Sequence, residues 1–225
     1  MKKNVFLALV LAVLGLGGPG LADEIGYGGF ILSWTMPDFD ELDSRLESVG
    51  ITGSDDENFS FGGGFWGGYR NFISGFWGFE RETRLEGSDL SARLNYSGFF
   101  AEPGYFVKIY KGLGVTPSLG IGYTKVRLDL RGSLGDVDFS DVLDNPERTS
   151  RARFFTFTLA PALAINLPVE FVTIQLRGGY MWSPFNEKWK LRDRSELTDA
   201  PDVNTSGIFA GVCLLFGGSD ERFDF

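Results

Sequence analysis

Residues 155–167 read Phe-Thr-Phe-Thr-Leu-Ala-Pro-Ala-Leu-Ala-Ile-Asn-Leu. Phe155, Phe157, Leu159, Pro161, Leu163, Ile165 and Leu167 share one side of a two-residue repeat, and Thr156, Thr158, Ala160, Ala162, Ala164 and Asn166 share the other. Successive side chains of a β-strand point to opposite faces, so this period means strand. The chemistry of the two faces says more than the period does. A strand half-buried in a water-soluble protein places Lys, Glu or Gln on its wet side, but here the second face is small and weakly polar. The pattern predicts hydrocarbon outside and a narrow, filled interior, as in a membrane-spanning β-barrel.

Seven further segments repeat the pattern: Tyr27–Met36, Phe59–Arg70, Ile73–Arg81, Arg93–Tyr110, Val115–Leu130, Phe171–Trp182 and Gly207–Phe216. Phe30, Leu32, Trp34 and Met36 oppose Gly29, Ser33 and Thr35 in the first of them, and Phe61, Phe65 and Tyr69 oppose Ser60, Gly62, Gly64 and Gly68 in the second. Long connections (37–58, 82–92, 131–150 and 183–206) follow the odd strands, and tight turns near 71–72, 111–112 and 168–169 follow the even ones. Up-and-down barrels of bacterial outer membranes have this asymmetry of short periplasmic turns and longer external loops. The expectation is an all-β fold: an eight-stranded antiparallel up-and-down transmembrane β-barrel over residues 23–218, with a charged tail at 219–225. Pro117 and Pro161 belong at strand ends or bulges, because proline removes a ladder hydrogen bond. A change of phase predicts a bulge at Glu102-Pro103-Gly104.

One short helix is expected in the first external loop. Asp38 or Asp40 can cap it, Phe39, Leu42, Leu46 and Val49 recur at helical spacing, and Gly50 ends it. It either packs at the barrel mouth or merely shortens the loop.

Lys2 and Lys3, the apolar run Val5 to Leu16, and the small residues Gly20 and Ala22 read as a secretory signal peptide over residues 1–22. The run is too short to span a bilayer, which takes roughly 20 apolar residues. Its removal leaves 19 of the 21 basic residues against 30 acidic ones, a net charge of −11. A nucleic-acid partner is not expected, since no basic stripe is visible. Aromatic residues make up 15% of the chain and glycines number 31, which suits a lipid-facing wall with interfacial girdles around a crowded lumen. Cys213 has no second cysteine to pair with.

On these features the chain resembles the small outer-membrane β-barrel proteins of double-membraned bacteria. The resemblance implies an outer-membrane location, lipid as the surrounding partner, and a last strand read by the barrel-assembly machinery. Val212, Leu214 and Phe216, following Ile208 and Ala210, look like that assembly signal. The chain runs on through Gly217–Phe225 and itself ends in phenylalanine, so Phe216 and Phe225 compete for the role; Phe216 is favoured because Asp220, Glu221, Arg222 and Asp224 make a poor lipid-facing strand.

The chain has no histidine, which excludes Ser/His/Asp and Cys/His catalysis and imidazole metal sites. No enzyme activity, cofactor or metal is expected. Gly62 to Gly67 fits the spacing of a dinucleotide loop but lies within a strand, the wrong context for one. Alternation places Arg70, Glu80, Gln175 and Arg177 inward as a structural lumen cluster, where unpaired charge would be strongly unfavourable. The expected role is structural or surface-interactive, with the loops displayed to an unknown surface partner. A narrow conduit for ions or small solutes is the alternative, with a secreted ligand-binding barrel behind it. Lys188, Trp189, Lys190, Arg192 and Arg194 are candidates for anionic headgroups or a partner.

Overall fold

A computed structural model of the chain describes residues 24–53, 58–87, 90–110, 113–132, 149–169, 171–185, 188–191 and 195–217. The expected signal peptide, the charged tail, Phe225, and Arg192 and Arg194 lie outside them. Eight long strands alternate in and out along their length: β1 (Glu24–Thr35), β3 (Phe59–Tyr69), β4 (Phe72–Gly87), β5 (Leu90–Tyr105), β7 (Leu113–Gly132), β8 (Thr149–Val169), β9 (Val172–Met181) and β11 (Gly207–Gly217). Each pairs antiparallel with its neighbour in that order, and β1 pairs with β11 from Tyr27↔Gly217 to Thr35↔Phe209. The chain is a closed eight-stranded antiparallel β-barrel. Three short strands, β2 (Ile51–Gly53), β6 (Val107–Tyr110) and β10 (Lys190–Leu191), extend its edges against β4, β7 and β8.

The large apolar side chains of the alternating pattern face outward and are exposed, among them Leu32, Phe61, Phe76, Ile121, Leu163, Leu176 and Leu214. Aromatic rings climb across this wall from strand to strand, Phe65 to Phe76 at 5.4 Å, Phe76 to Phe99 at 6.0 Å, and Phe99 to Tyr123 at 6.3 Å. A belt of this extent on every barrel strand is the wall of a membrane protein; water-soluble monomers rarely expose contiguous apolar patches beyond a few hundred Å².

Inside, eight strands leave a lumen just wide enough for side chains to fill. Trp77 stacks on Phe100 at 4.6 Å, and Phe79 packs against Tyr96 at 5.1 Å. Glycine opposite these rings is a steric requirement. A Cβ on Gly75 would meet Trp66 Cδ1 at 2.5 Å, and one on Gly98 would meet Phe79 Cε1 at 2.6 Å.

Four departures from the sequence reading concern loops, turns and ladders. The second long connection is not a loop: β4 and β5 run on as a paired hairpin to Glu86↔Ser91. The charges at Glu82, Arg84 and Glu86 mark where the strand leaves the lipid belt, not where it ends. Residues 102–104 hold no bulge, since Ala101↔Ile121 and Gly104↔Ser118 share one register; the shift falls between Lys108 and Tyr110. Apolar residues on both faces at 105–107 imitate a change of phase. Pro117 and Pro161 sit within β7 and β8, opposite Leu163 and Leu119. Pro161 lacks an N–H, and the β8–β9 ladder is interrupted there, resuming as the Leu159–Trp182 bridge. The first turn is Arg70-Asn71, with Arg70 at φ 55.

Leu119 lies in the middle of the outward apolar run of β7 and is 39% exposed. Leu119→Arg should cost about 2–4 kcal/mol in lipid, where an exposed site in water would tolerate it. Urea unfolding in vesicles checks this, and an unchanged midpoint would contradict a lipid-facing belt.

Candidate functional site

Two regions carry polar chemistry: the lumen and its loop-side mouth. Near the turn end, Asn166 donates to Thr116 Oγ1 at 2.9 Å and its carbonyl accepts from Gln175 Nε2 at 2.8 Å. Just above, the Arg177 Nη2 donates to both oxygens of Glu102 at 3.0 Å, and Ser118 Oγ donates to the same carboxylate. Both charged side chains are almost fully buried, at 2% and 6% exposure. The guanidinium also lies 4.3 Å from the centre of the Trp77 ring, so ion pairing and cation–π attraction act on one group. The void left among Glu102, Gly104, Thr116, Ser118 and Gln175 is about 10 Å³, at the lower limit for one water molecule. Higher still, Thr124, Thr158, Ser183 and Thr205 bond one another through their hydroxyls at 2.8–3.0 Å.

The mouth is closed by the first and last loops. Helix α1 (Asp40–Ser48) buries Leu42 and Leu46, and Phe39 packs edge-on against the lumen residue Tyr96 at 5.7 Å. The N-cap residue, Phe39, makes no side-chain bond to the helix; the amide of Asp40, the first helical residue, donates to Asp38 Oδ1. Gly50, at φ 80, follows the helix, and Val49 stays exposed. The helix therefore packs in the mouth, the first of the two arrangements its sequence allows. Asp38 and Asn204 form a backbone bridge to the last loop, Arg45 reaches Asp199 Oδ1 at 3.3 Å, and Glu41 Oε2 accepts from the Asp202 amide at 3.0 Å. Beside this seam lies a recess of about 350 Å³ lined by Phe154, Trp189, Glu196, Leu197, Asp199 and Val203. Trp189 packs on Phe154 at 5.8 Å and donates to the Pro201 carbonyl at 2.9 Å.

Of the four residues expected in the lumen, Gln175 and Arg177 point inward and are buried. Arg70 does not: it occupies the turn, in the left-handed region, exposed and 5.3 Å from the Tyr69 ring centre. The alternation had been carried one residue beyond the strand. Glu80 faces outward, because β4 turns Ile73, Trp77, Phe79 and Arg81 to the lumen. Its aromatics occupy both faces, so their pattern does not reveal the phase. The hairpin does: a turn at 70–71 sets Gly68 opposite Ile73, which fixes every later side chain of β4. Sequence reasoning missed Arg81, which donates to Asn58 Oδ1 at 2.7 Å between the Phe39 and Tyr96 rings, and Glu102 as the partner of Arg177. Val212, Leu214 and Phe216 line the outer face of β11.

No protein-family model matches the chain, and no curated protein matches it either. Fourteen chains of solved structures match. Ail, the attachment invasion locus protein of Yersinia pestis, in complex with the heparin analogue sucrose octasulfate, is 14% identical, with a TM-score of 0.42 over 86% of this chain and 98% of its own. The outer membrane protein OprG from Pseudomonas aeruginosa is 12% identical, with a TM-score of 0.44 over 89% and 97%. The barrel itself stands on the strand pairing of this chain.

Glu102→Gln would leave Arg177 buried without its counter-charge and should cost about 3–5 kcal/mol, whereas Glu102→Leu with Arg177→Met should cost much less. Urea midpoints in lipid test this, and a double variant as unstable as the single one would contradict it. The Asp202 amide, and after it the Arg45 guanidinium, holds the Glu41 carboxyl below its ordinary value of 4.5. A depressed folded value means the seam is fully stabilised above about pH 4.5 and loosens as pH falls below it. Protection factors for hydrogen exchange over residues 38–50, taken against the intrinsic rate at each pH, should fall there, and unchanged protection at pH 3.5 would contradict the linkage.

Proposed function

We propose that the chain is a non-conducting barrel of the bacterial outer membrane that anchors and displays its first and last loops at the cell surface. The observation that carries this reading is the filled lumen. The Glu102–Arg177 pair, the Trp77–Phe100 stack and the α1 cap block the axis in succession, and the void beside the ion pair is about 10 Å³. A water-filled path for ions would need a continuous polar opening, which eight strands seldom provide. The loop side is where shape and chemistry vary: α1 docked on the last loop, beside a recess with an aromatic floor and a mixed-charge rim. These are the features of a surface that meets a partner, and the barrel wall supplies a rigid base for it.

The apolar belt and the signal peptide expected from the sequence support an outer-membrane location, and the outward placement of Val212, Leu214 and Phe216 on the last strand supports reading them as the assembly signal. Lipid and, during insertion, the assembly machinery are the partners this architecture calls for. Catalysis is no part of the proposal: the lumen carboxylate is bound to an arginine and sealed from substrate.

Planar-bilayer recording tests the reading directly. An inserted barrel should give no discrete conductance steps. Reproducible steps that change size in Glu102→Gln would contradict it and make the chain a solute conduit.

A further inference from the structure

The recess beside the α1 seam has walls that are held from several sides. Trp189 Nε1 donates to the Pro201 carbonyl at 2.9 Å, and the Leu197 amide donates to the Trp189 carbonyl at 2.9 Å, so the segments that line it are tied to each other. From α1, Arg45 Nη1 donates to the Asp199 carbonyl at 2.9 Å, and Glu41 Oε2 accepts from the Asp202 amide at 3.0 Å. Asp199 takes φ 59, in the left-handed region, and Arg45 reaches its carboxylate as well as its carbonyl. Walls fixed before a ligand arrives have little ordering left to lose when it binds.

The volume of the recess, about 350 Å³, lies at the small end of ligand cavities, which run from about 300 to 1,000 Å³. It suits one ring or a short alkyl chain. Phe154, Trp189, Leu197 and Val203 give it an apolar floor, and Lys188, Glu196, Asp199 and Asp202 carry its charge. Two of the three carboxylates are already answered, Glu196 by Lys188 at 2.9 Å and Asp199 by Arg45, which also serves Glu41. Lys190 adds its charge at the Glu196 end. Asp202 is different: its carboxylate is exposed and makes no hydrogen bond or ion pair among the described residues. The surplus of negative charge therefore falls at Asp202, beside the apolar floor.

We propose that this recess binds a small organic cation, an ammonium or guanidinium carried on an apolar body, with its charge at Asp202 and its body on the floor of Leu197 and Val203. Charge selects the occupant. Lys188 and Arg45 are both engaged by carboxylates, so an anion would meet the bare Asp202 with no cation released to hold it. A cation gains the one unanswered carboxylate, and the net charge of −9 favours its approach. Size selects it as well, since the cavity holds a single small body.

The proposal deepens the display reading by giving the displayed mouth a ligand. Its test is calorimetric titration of the full chain, refolded in a nonionic detergent, with phenethylammonium, and with phenethyl alcohol and phenylpropionate as neutral and anionic counterparts. The amine should bind saturably with a Kd on the order of 1 mM or below, and more weakly at high salt. The alcohol should bind at least about tenfold more weakly, since it lacks the charge-assisted bond, and the anion should not bind. Asp202→Asn should weaken the amine by about tenfold and leave the alcohol unchanged. Glu47→Gln, an exposed position of α1 outside the lining, should change neither. Equal affinity for amine and alcohol, or an amine affinity unchanged in Asp202→Asn, would overturn the proposal. Bilayer recording keeps the two readings apart. A conducting barrel that binds the amine would lose the display reading and keep this one, and a silent barrel that binds no amine would do the reverse.

Discussion

Closure of β1 onto β11 is the constraint from which the rest of the molecule follows. In hydrocarbon an unpaired backbone N–H or C=O has no water to turn to, so a sheet edge is not tolerated. Nine successive residue pairs from Tyr27↔Gly217 to Thr35↔Phe209 remove the edge. Closing only eight strands then makes the lumen narrow, and its narrowness dictates its contents. Glycine stands where Trp66, Phe79 and Phe100 need room, and hydroxyls pair with hydroxyls. The two buried charges at the centre, Arg177 and Glu102, answer each other.

The wall was the legible part of this sequence because only one face of each strand had to be apolar and large. Residues 155–167 carry that rule throughout, and there and in 208–216 the outward residues in the structure are those that the alternation selects. The lumen was legible only where it is small. In β4 and β5 the inside holds Trp77, Phe79, Tyr96 and Phe100 as the outside holds Phe76 and Phe99, so the pattern gave no phase and Glu80 was turned the wrong way. Arg177 could be placed from β9 alone, but its partner Glu102 lies 75 residues away. Only the register through β5, β7 and β8 brings the two together, and no local rule contains that.

Charge along the strands divides the labour of the structure. Below the aromatic rungs the wall is uncharged and interchangeable, as lipid requires. Above them β4, β5, β7 and β8 continue as paired strand with ionised side chains, to Glu86↔Ser91 and Arg131↔Thr149. On the other side of the mouth, where β9 ends at Met181 and β11 starts at Gly207, the intervening chain folds back over the lumen and docks on α1. One half of the rim is thus paired strand bearing ion pairs, the other a cap with a recess. Anchoring and display follow from this asymmetry without any solute passing through the centre.

The central claim is that alternate residues face hydrocarbon up to one level and water above it. Nitroxide labels placed singly at 119–129 on β7, with buried Cys213 replaced by alanine, test it residue by residue. The account predicts high collision rates with oxygen at 119, 121 and 123, low rates with any agent at 120, 122 and 124, and high rates with a water-soluble nickel chelate at 125, 127 and 129. A nickel-accessible label at 121, or the loss of the two-residue period, would contradict it.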